Sequence, residues 1–267
     1  MTALLAPLAR RGYAVVHLRS GTSEALRGAL QAWSLRGRFR HPPVPEMDDD
    51  GNGNFNEEDD ACFPEERACF NVLFSECREG IRLLDREWRE LEGVSLGAPV
   101  ESLPDGDVFL PNEPLPFQGL SSRDTSRDMP FDQSFFNVFN YDHGTLNPHV
   151  DRGLITMVYG YNTNKSSSAS QLWLRDLETK KWIEAEAACE ADDADGHGSD
   201  CALLFAGEQL ERLTGGRVRA VEHCVRVDPE GEFLNRSHFT RDPAADSIGN
   251  RLSAAMIFSF HEEETQK

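Results

Sequence analysis

Apolar residues recur at three- and four-residue steps across "PEERACFNVLFSECREGIRLLDREWREL". Phe70, Leu73, Phe74, Cys77, Ile81, Leu84, Trp88 and Leu91 fall on one stripe. The spacing predicts a long amphipathic helix over 64–91. Pro64 suits its first turn and Gly93 lies just past its end. Such a stripe is suited to packing against a sheet. Upstream, "YAVVHL" (13–18) reads as a short β-branched strand, and "SEALRGALQAW" (23–33) as a helix capped by Ser23. From Phe135 onward the period shortens. "SFFNVFNY", "GLITMVYG", "SQLWLRD", "KKWIEAE", "CALLFAG", "VRAVEHCVRV" and "RLSAAMIFSF" read as strands separated by turn residues or charge. "QLWLRDLETKKWIEA" reads as a hairpin. Many short strands after a helical start predict a mainly β fold, a sandwich or jelly roll with helices over one face. Residues 1–133 are expected to form a helical and loop region packed on a β core at 134–267, the two making one integrated unit.

Composition narrows the function. The 267-residue chain carries a formal net charge of −19 and is 39% apolar. That balance supplies a core but disfavours nucleic acid and anionic membranes, which need basic patches. No run of apolar residues is long enough to span a bilayer. The six cysteines form no C-x-x-C pair, so zinc-ribbon and thioredoxin-like readings fail. Their scatter fits reduced thiols and a cytoplasmic protein. The stretches 41–60 and 190–200 are acidic and read as surface loops.

The candidate chemistry lies in "NPHVDRGLITMVYG". On an extended segment at 148–152, His149 and Asp151 project to one side. In "VRAVEHCVRV", alternation puts His223 on one face with Val221, Val225 and Val227. Two imidazoles and a carboxylate are the facial triad of non-haem Fe(II) oxygenases, leaving positions open for a co-substrate and O2. Zinc takes the same three groups, so the ligands alone do not choose the metal. His238 is a rival third ligand; His223 is preferred for its strand context. In "RLSAAMIFSF", Arg251, Ser253, Ala255 and Ile257 share a face opposite Leu252, Met256, Phe258 and Phe260. A buried arginine needs an anion, and a guanidinium with a hydroxyl two residues on suits a carboxylate. Arg152 alternates away from the ligands, towards solvent.

These pieces, in this order, resemble the 2-oxoglutarate- and Fe(II)-dependent dioxygenases, in particular the isopenicillin N synthase-like branch. "NPHVDRGLITMVY" is similar to that branch's H-x-D-x-G-x-x-T segment. "AGEQLERLTGGRVRAVEHCV" resembles the stretch leading to its second histidine, and "RLS" its R-x-S motif. The resemblance implies a double-stranded β-helix core. It implies Fe(II) on His149, Asp151 and His223, and 2-oxoglutarate held by Arg251 and Ser253. Tyr141 would lie near the co-substrate, with Asn137 a weaker candidate. The implied reaction consumes O2 and releases succinate and CO2 while oxidising a small organic substrate, by hydroxylation in the default case, with ascorbate as a stimulant. A monomer is expected. Two alternatives stay open: an oxidase that uses no 2-oxoglutarate, and a barrel that binds without turnover. The interval between His223 and Arg251 is longer than the branch's usual one.

Overall fold

A computed structural model describes residues 3–19, 21–35, 64–98, 100, 134–141, 146–162, 171–192, 201–230 and 251–260. His238 and nearly all of the acidic stretches 41–60 and 190–200 lie outside them.

The N-terminal elements are α1 (Leu5–Arg11), β1 (Tyr13–His17), α2 (Thr22–Leu35) and α3 (Pro64–Glu92). The long helix is the one the stripe predicts, with Phe70, Leu73, Phe74, Cys77, Ile81, Leu84 and Trp88 all buried. Leu91, at the end of the stripe, is 62% exposed instead. Gly93 closes α3 at φ 74°, a left-handed conformation that glycine adopts without penalty. Asp85 ties the chain that follows, accepting the Leu96 N–H at 2.8 Å. Glu87 of α3 accepts the Leu5 N–H at 2.6 Å, placing a carboxylate at the positive end of α1. Ser23 does not cap α2: it sits inside the first turn, fully buried, with its hydroxyl 3.1 Å from the Tyr159 hydroxyl.

The strands that follow are β2 (Phe135–Tyr141), β3 (Leu146–His149), β4 (Ile155–Asn162), β5 (Gln171–Arg175), β6 (Trp182–Glu184), β7 (Cys201–Ala206), β8 (His223–Arg226) and β9 (Arg251–Phe258). They form a five-stranded sheet in the order β1-β7-β4-β9-β2 and a four-stranded sheet in the order β3-β8-β5-β6. All pairings are antiparallel. The architecture is a jelly roll with the N-terminal helices on one side. β1 forms one edge of the larger sheet, so the first strand of the chain is part of that sheet. The "KKWIEAE" run is strand only over 182–184. It continues as α4 (Ala185–Asp192), whose alanines and glutamates favour helix.

Each face of the larger sheet has its own core. Leu252, Ala254, Met256 and Phe258 of β9 pack under the helices. The Phe74 and Phe258 rings lie 5.7 Å apart, and Phe70 meets Phe136 edge-on at 5.5 Å. Tyr13, Leu203 and Phe205 point the other way, against Leu172 and Val225 of the smaller sheet. Cys189 and Cys201, expected as thiols, form a disulfide between α4 and β7, while Cys77 and Cys224 are free and buried and Cys69 is buried. Among the described residues, no helix is long and apolar enough to cross a membrane.

Candidate functional site

His149 ends β3 and His223 begins β8, and the two are direct cross-strand partners. Opposed residues on neighbouring strands hold their β-carbons close, so the two rings stand 4.2 Å apart. The strand pairing is irregular between Leu146 and His149. Asp151 lies past the end of β3, not on an extended strand with His149 as the alternation predicts. The turn at 151–154 is held instead by the N-terminus of α5 (Glu208–Leu213). Its unpaired amides find partners there: the Gly207, Glu208 and Gln209 N–H groups donate to the carbonyls of Leu154, Asp151 and Gly153 at 3.1, 2.9 and 3.0 Å. The Leu154 N–H donates to the Phe258 carbonyl at 2.7 Å, fixing the turn to β9. Glycine is required by this closeness. A β-carbon at Gly153 would lie 2.6 Å from the Phe258 carbonyl oxygen, and one at Gly207 would lie 2.9 Å from that of Asp151.

The result is a compact donor set. Asp151 Oδ1 is 3.7 Å from His149 Nε2 and 3.7 Å from His223 Nε2. One ligand atom from each residue lies within 4.8 Å of the others. Each imidazole turns its Nδ1 to a carbonyl two residues back, at 2.8 Å to Asn147 and 3.3 Å to Val221. A carbonyl only accepts, so Nδ1 carries the proton and Nε2 keeps its lone pair for the shared centre. Asp151 is oriented in the same way. Thr156 Oγ1 donates to Oδ2, leaving Oδ1 towards the histidines. Burial, with the neighbouring His149 adding to it, pulls the His223 pKa from 6.5 down to about 4 against the opposing pull of Asp151. His223 is therefore neutral near pH 7, the form that binds metal. Two imidazole nitrogens and one carboxylate oxygen fit a borderline divalent ion with positions left open.

The donor set lies at one part of a cavity of about 190 Å³ between the two sheets. Arg251 and Ser253 line the same cavity. Arg251 is only 1% exposed, and it begins β9 on the face that alternation assigned to it. Space for its guanidinium comes from Gly160 on β4. A β-carbon there would overlap Nη2 and lie 3.0 Å from Cζ. The walls between are apolar, including Val158, Leu172, Phe205 and Val225. Phe205 packs on the His223 ring at 4.6 Å.

The structure thus brings together His149, Asp151, His223, Arg251 and Ser253. Tyr141 is the backbone partner of Arg251, but its side chain lies outside the described residues. Asn137 is half-buried on β2, opposite Ala255. Arg152 is exposed, as expected. Val227 leaves the buried face of β8 at 50% exposure, because the strand ends at Arg226. Sequence reading matched Thr156 to the threonine of the H-x-D-x-G-x-x-T segment without giving it a role, and missed Gly160 and Gln209. Gln209 fastens the end of β9 through the Phe260 carbonyl at 2.6 Å. Thr156 had a signal: a hydroxyl in the apolar run "LITMVY", five residues after the aspartate.

No protein-family model and no curated protein matches this sequence. Solved structures match in fold. A candidate oxygenase from Shewanella oneidensis aligns with a TM-score of 0.50 at 12% identity, over 97% of this chain and 85% of that one. The dioxygenase for auxin oxidation 1 from Arabidopsis thaliana, solved with 2-oxoglutarate, gives 0.50 at 14% identity, over 97% and 88%. The fold is the one these two oxygenase structures share, a jelly roll as the sequence resemblance implies. The His-Asp-His cluster within it has the composition of a two-histidine, one-carboxylate metal site.

Proposed function

We propose that the chain is a non-haem Fe(II)- and 2-oxoglutarate-dependent dioxygenase that oxidises, by hydroxylation in the default case, a small organic substrate. The observation that carries this reading is Arg251. A guanidinium 1% exposed, with Ser253 beside it, lines the same cavity as the three metal-type donors. A guanidinium in the same cavity as a metal site is suited to hold the far carboxylate of a dicarboxylate bound at the metal.

His149 Nε2, His223 Nε2 and Asp151 Oδ1 would hold Fe(II). The metal supplies O2 activation, coupled to oxidative decarboxylation of 2-oxoglutarate to succinate and CO2. The protein's share is placement. Two backbone carbonyls keep the imidazole protons on Nδ1. Thr156 keeps Asp151 turned inward. Arg251 and Ser253 bind the distal carboxylate of the co-substrate, and Gly160 leaves room for the guanidinium. The apolar walls exclude water and strengthen these charge contacts. Tyr141 is proposed near the co-substrate because its backbone partners Arg251.

Purified protein with Fe(II), ascorbate and 2-oxoglutarate is expected to release succinate, faster when a substrate is supplied. Protein that retains Fe(II) yet neither binds 2-oxoglutarate nor forms succinate would contradict the proposal.

A further inference from the structure

Strand register gives the cavity a direction. Along β9, the cavity-facing positions run from Arg251 through Ser253 and Ala255 to Ile257. Arg251 marks the anion end. Ile257 pairs with Thr156 of β4, whose hydroxyl holds Asp151, so Ile257 marks the metal end. On its other side Ile257 pairs with Phe135 of β2, and both side chains line the cavity. Phe135 is 42% exposed on the last strand of the larger sheet, where a molecule entering from solvent would meet it. Ala255 and Phe139 continue this apolar surface towards Ser253.

Charge is confined elsewhere. Among the described lining residues, the groups able to carry charge are His149, Asp151, His223 and Arg251. Under the proposed function all four are occupied by the metal and the co-substrate. A charged substituent against Phe135 and Ile257 would lose hydration and meet no described partner of opposite sign. An uncharged ring or chain would instead bury apolar surface there.

Resting on the Fe(II) and 2-oxoglutarate reading, we infer that the Phe135–Ile257 wall is the substrate subsite, and that it takes an uncharged, apolar ring or chain beside the metal. Phe135 and Ile257 set specificity by excluding charge from the group to be oxidised.

The test uses the full chain loaded with Zn(II), which accepts the same donors without turnover, in the presence of 2-oxoglutarate. Binding of p-cresol, 4-methylbenzoate and 4-methylbenzylammonium is measured by ligand-observed NMR. The neutral phenol is expected to bind about tenfold more tightly than either ion, since neither charge finds a partner among the described lining residues. Phe135→Ala and Ile257→Ala should each weaken p-cresol about fivefold through lost apolar contact. Phe135→Leu, which keeps an apolar side chain on the strand, should stay within about twofold. Equal or tighter binding of either ion overturns the inference, as does p-cresol affinity unchanged in both alanine variants. Zn(II) and 2-oxoglutarate uptake, read in the same samples, separates the two levels. Uptake with charge-blind probe binding sinks the subsite alone, whereas failure to take up either sinks the subsite and the dioxygenase reading together.

Discussion

The two sheets contribute to the site in opposite ways. In the larger sheet, β4 and β9 pair without interruption from Ile155–Phe258 to Asn162–Arg251. That regularity puts Arg251 and Ser253 in the cavity by alternation alone. In the smaller sheet, β3 pairs irregularly with β8, and Asp151 lies off the strand altogether. A regular strand suits an elongated anion held at its far end. The three donors of the metal-type cluster sit where the smaller sheet's pairing is irregular. Asp151 is therefore placed by amides of α5 and by the Thr156 hydroxyl, not by sheet geometry.

If the irregular side holds the metal, damage there should be the most severe. Asp151→Ala or His223→Ala is expected to lower Fe(II) affinity by more than about 100-fold, beyond what loss of a supporting contact costs. Metal analysis after desalting checks this, and full occupancy in either variant would remove that residue from the site. On the regular side, Arg251→Gln should leave metal content intact and raise the 2-oxoglutarate Kd about 100-fold, the scale of a lost buried charge pair. A change in metal content with unaltered co-substrate affinity would reverse the assignment of the two sides.

Smaller effects sharpen the comparison. Thr156→Val keeps the shape of the strand and removes the donor to Asp151. It should weaken metal binding about tenfold, with little change in Tm. Gly160→Ala should raise the KM for 2-oxoglutarate several-fold by displacing Arg251, while Fe(II) binding persists. pH provides a further check on the metal-free protein. His223 is held neutral by burial, its pKa lowered from 6.5 to about 4. Below pH 6.5 the unfolded chain takes up a proton that the folded chain refuses. The stabilisation is complete above pH 6.5 and is lost as pH falls to about 4, by about 3 kcal/mol from this group. Urea unfolding of wild type and His223→Gln between these limits should show a flatter profile in the variant.

The regular parts were the legible ones. Period-2 alternation placed every cavity-facing residue of β9, and the 3.6-residue stripe placed all but the last turn of α3. Hidden were features set by tertiary contact. Nothing local says that Gly160 must yield to a guanidinium from β9, or that Gly207 must clear a carbonyl in the turn beside Asp151. Ser23 carries the local mark of a cap, but burial against Tyr159 decides its role. α4 is masked by the strand pattern before it, since Trp182 and Ile183 begin as strand and the alanine-rich run takes over. The Cys189–Cys201 bond depends on α4 lying beside β7, a packing that spacing does not reveal.

In the proposed function, one cavity holds a metal at the His-Asp-His cluster and a 2-oxo acid stretched to Arg251. Anaerobic titration of wild-type protein with Fe(II) and 2-oxoglutarate tests it most directly, through the visible charge-transfer band of a 2-oxo acid chelated to ferrous iron. A band saturating at one of each per chain is expected. It should vanish in Asp151→Ala and shift to higher 2-oxoglutarate in Arg251→Gln. A band absent from the wild type, or undiminished in Asp151→Ala, would contradict it.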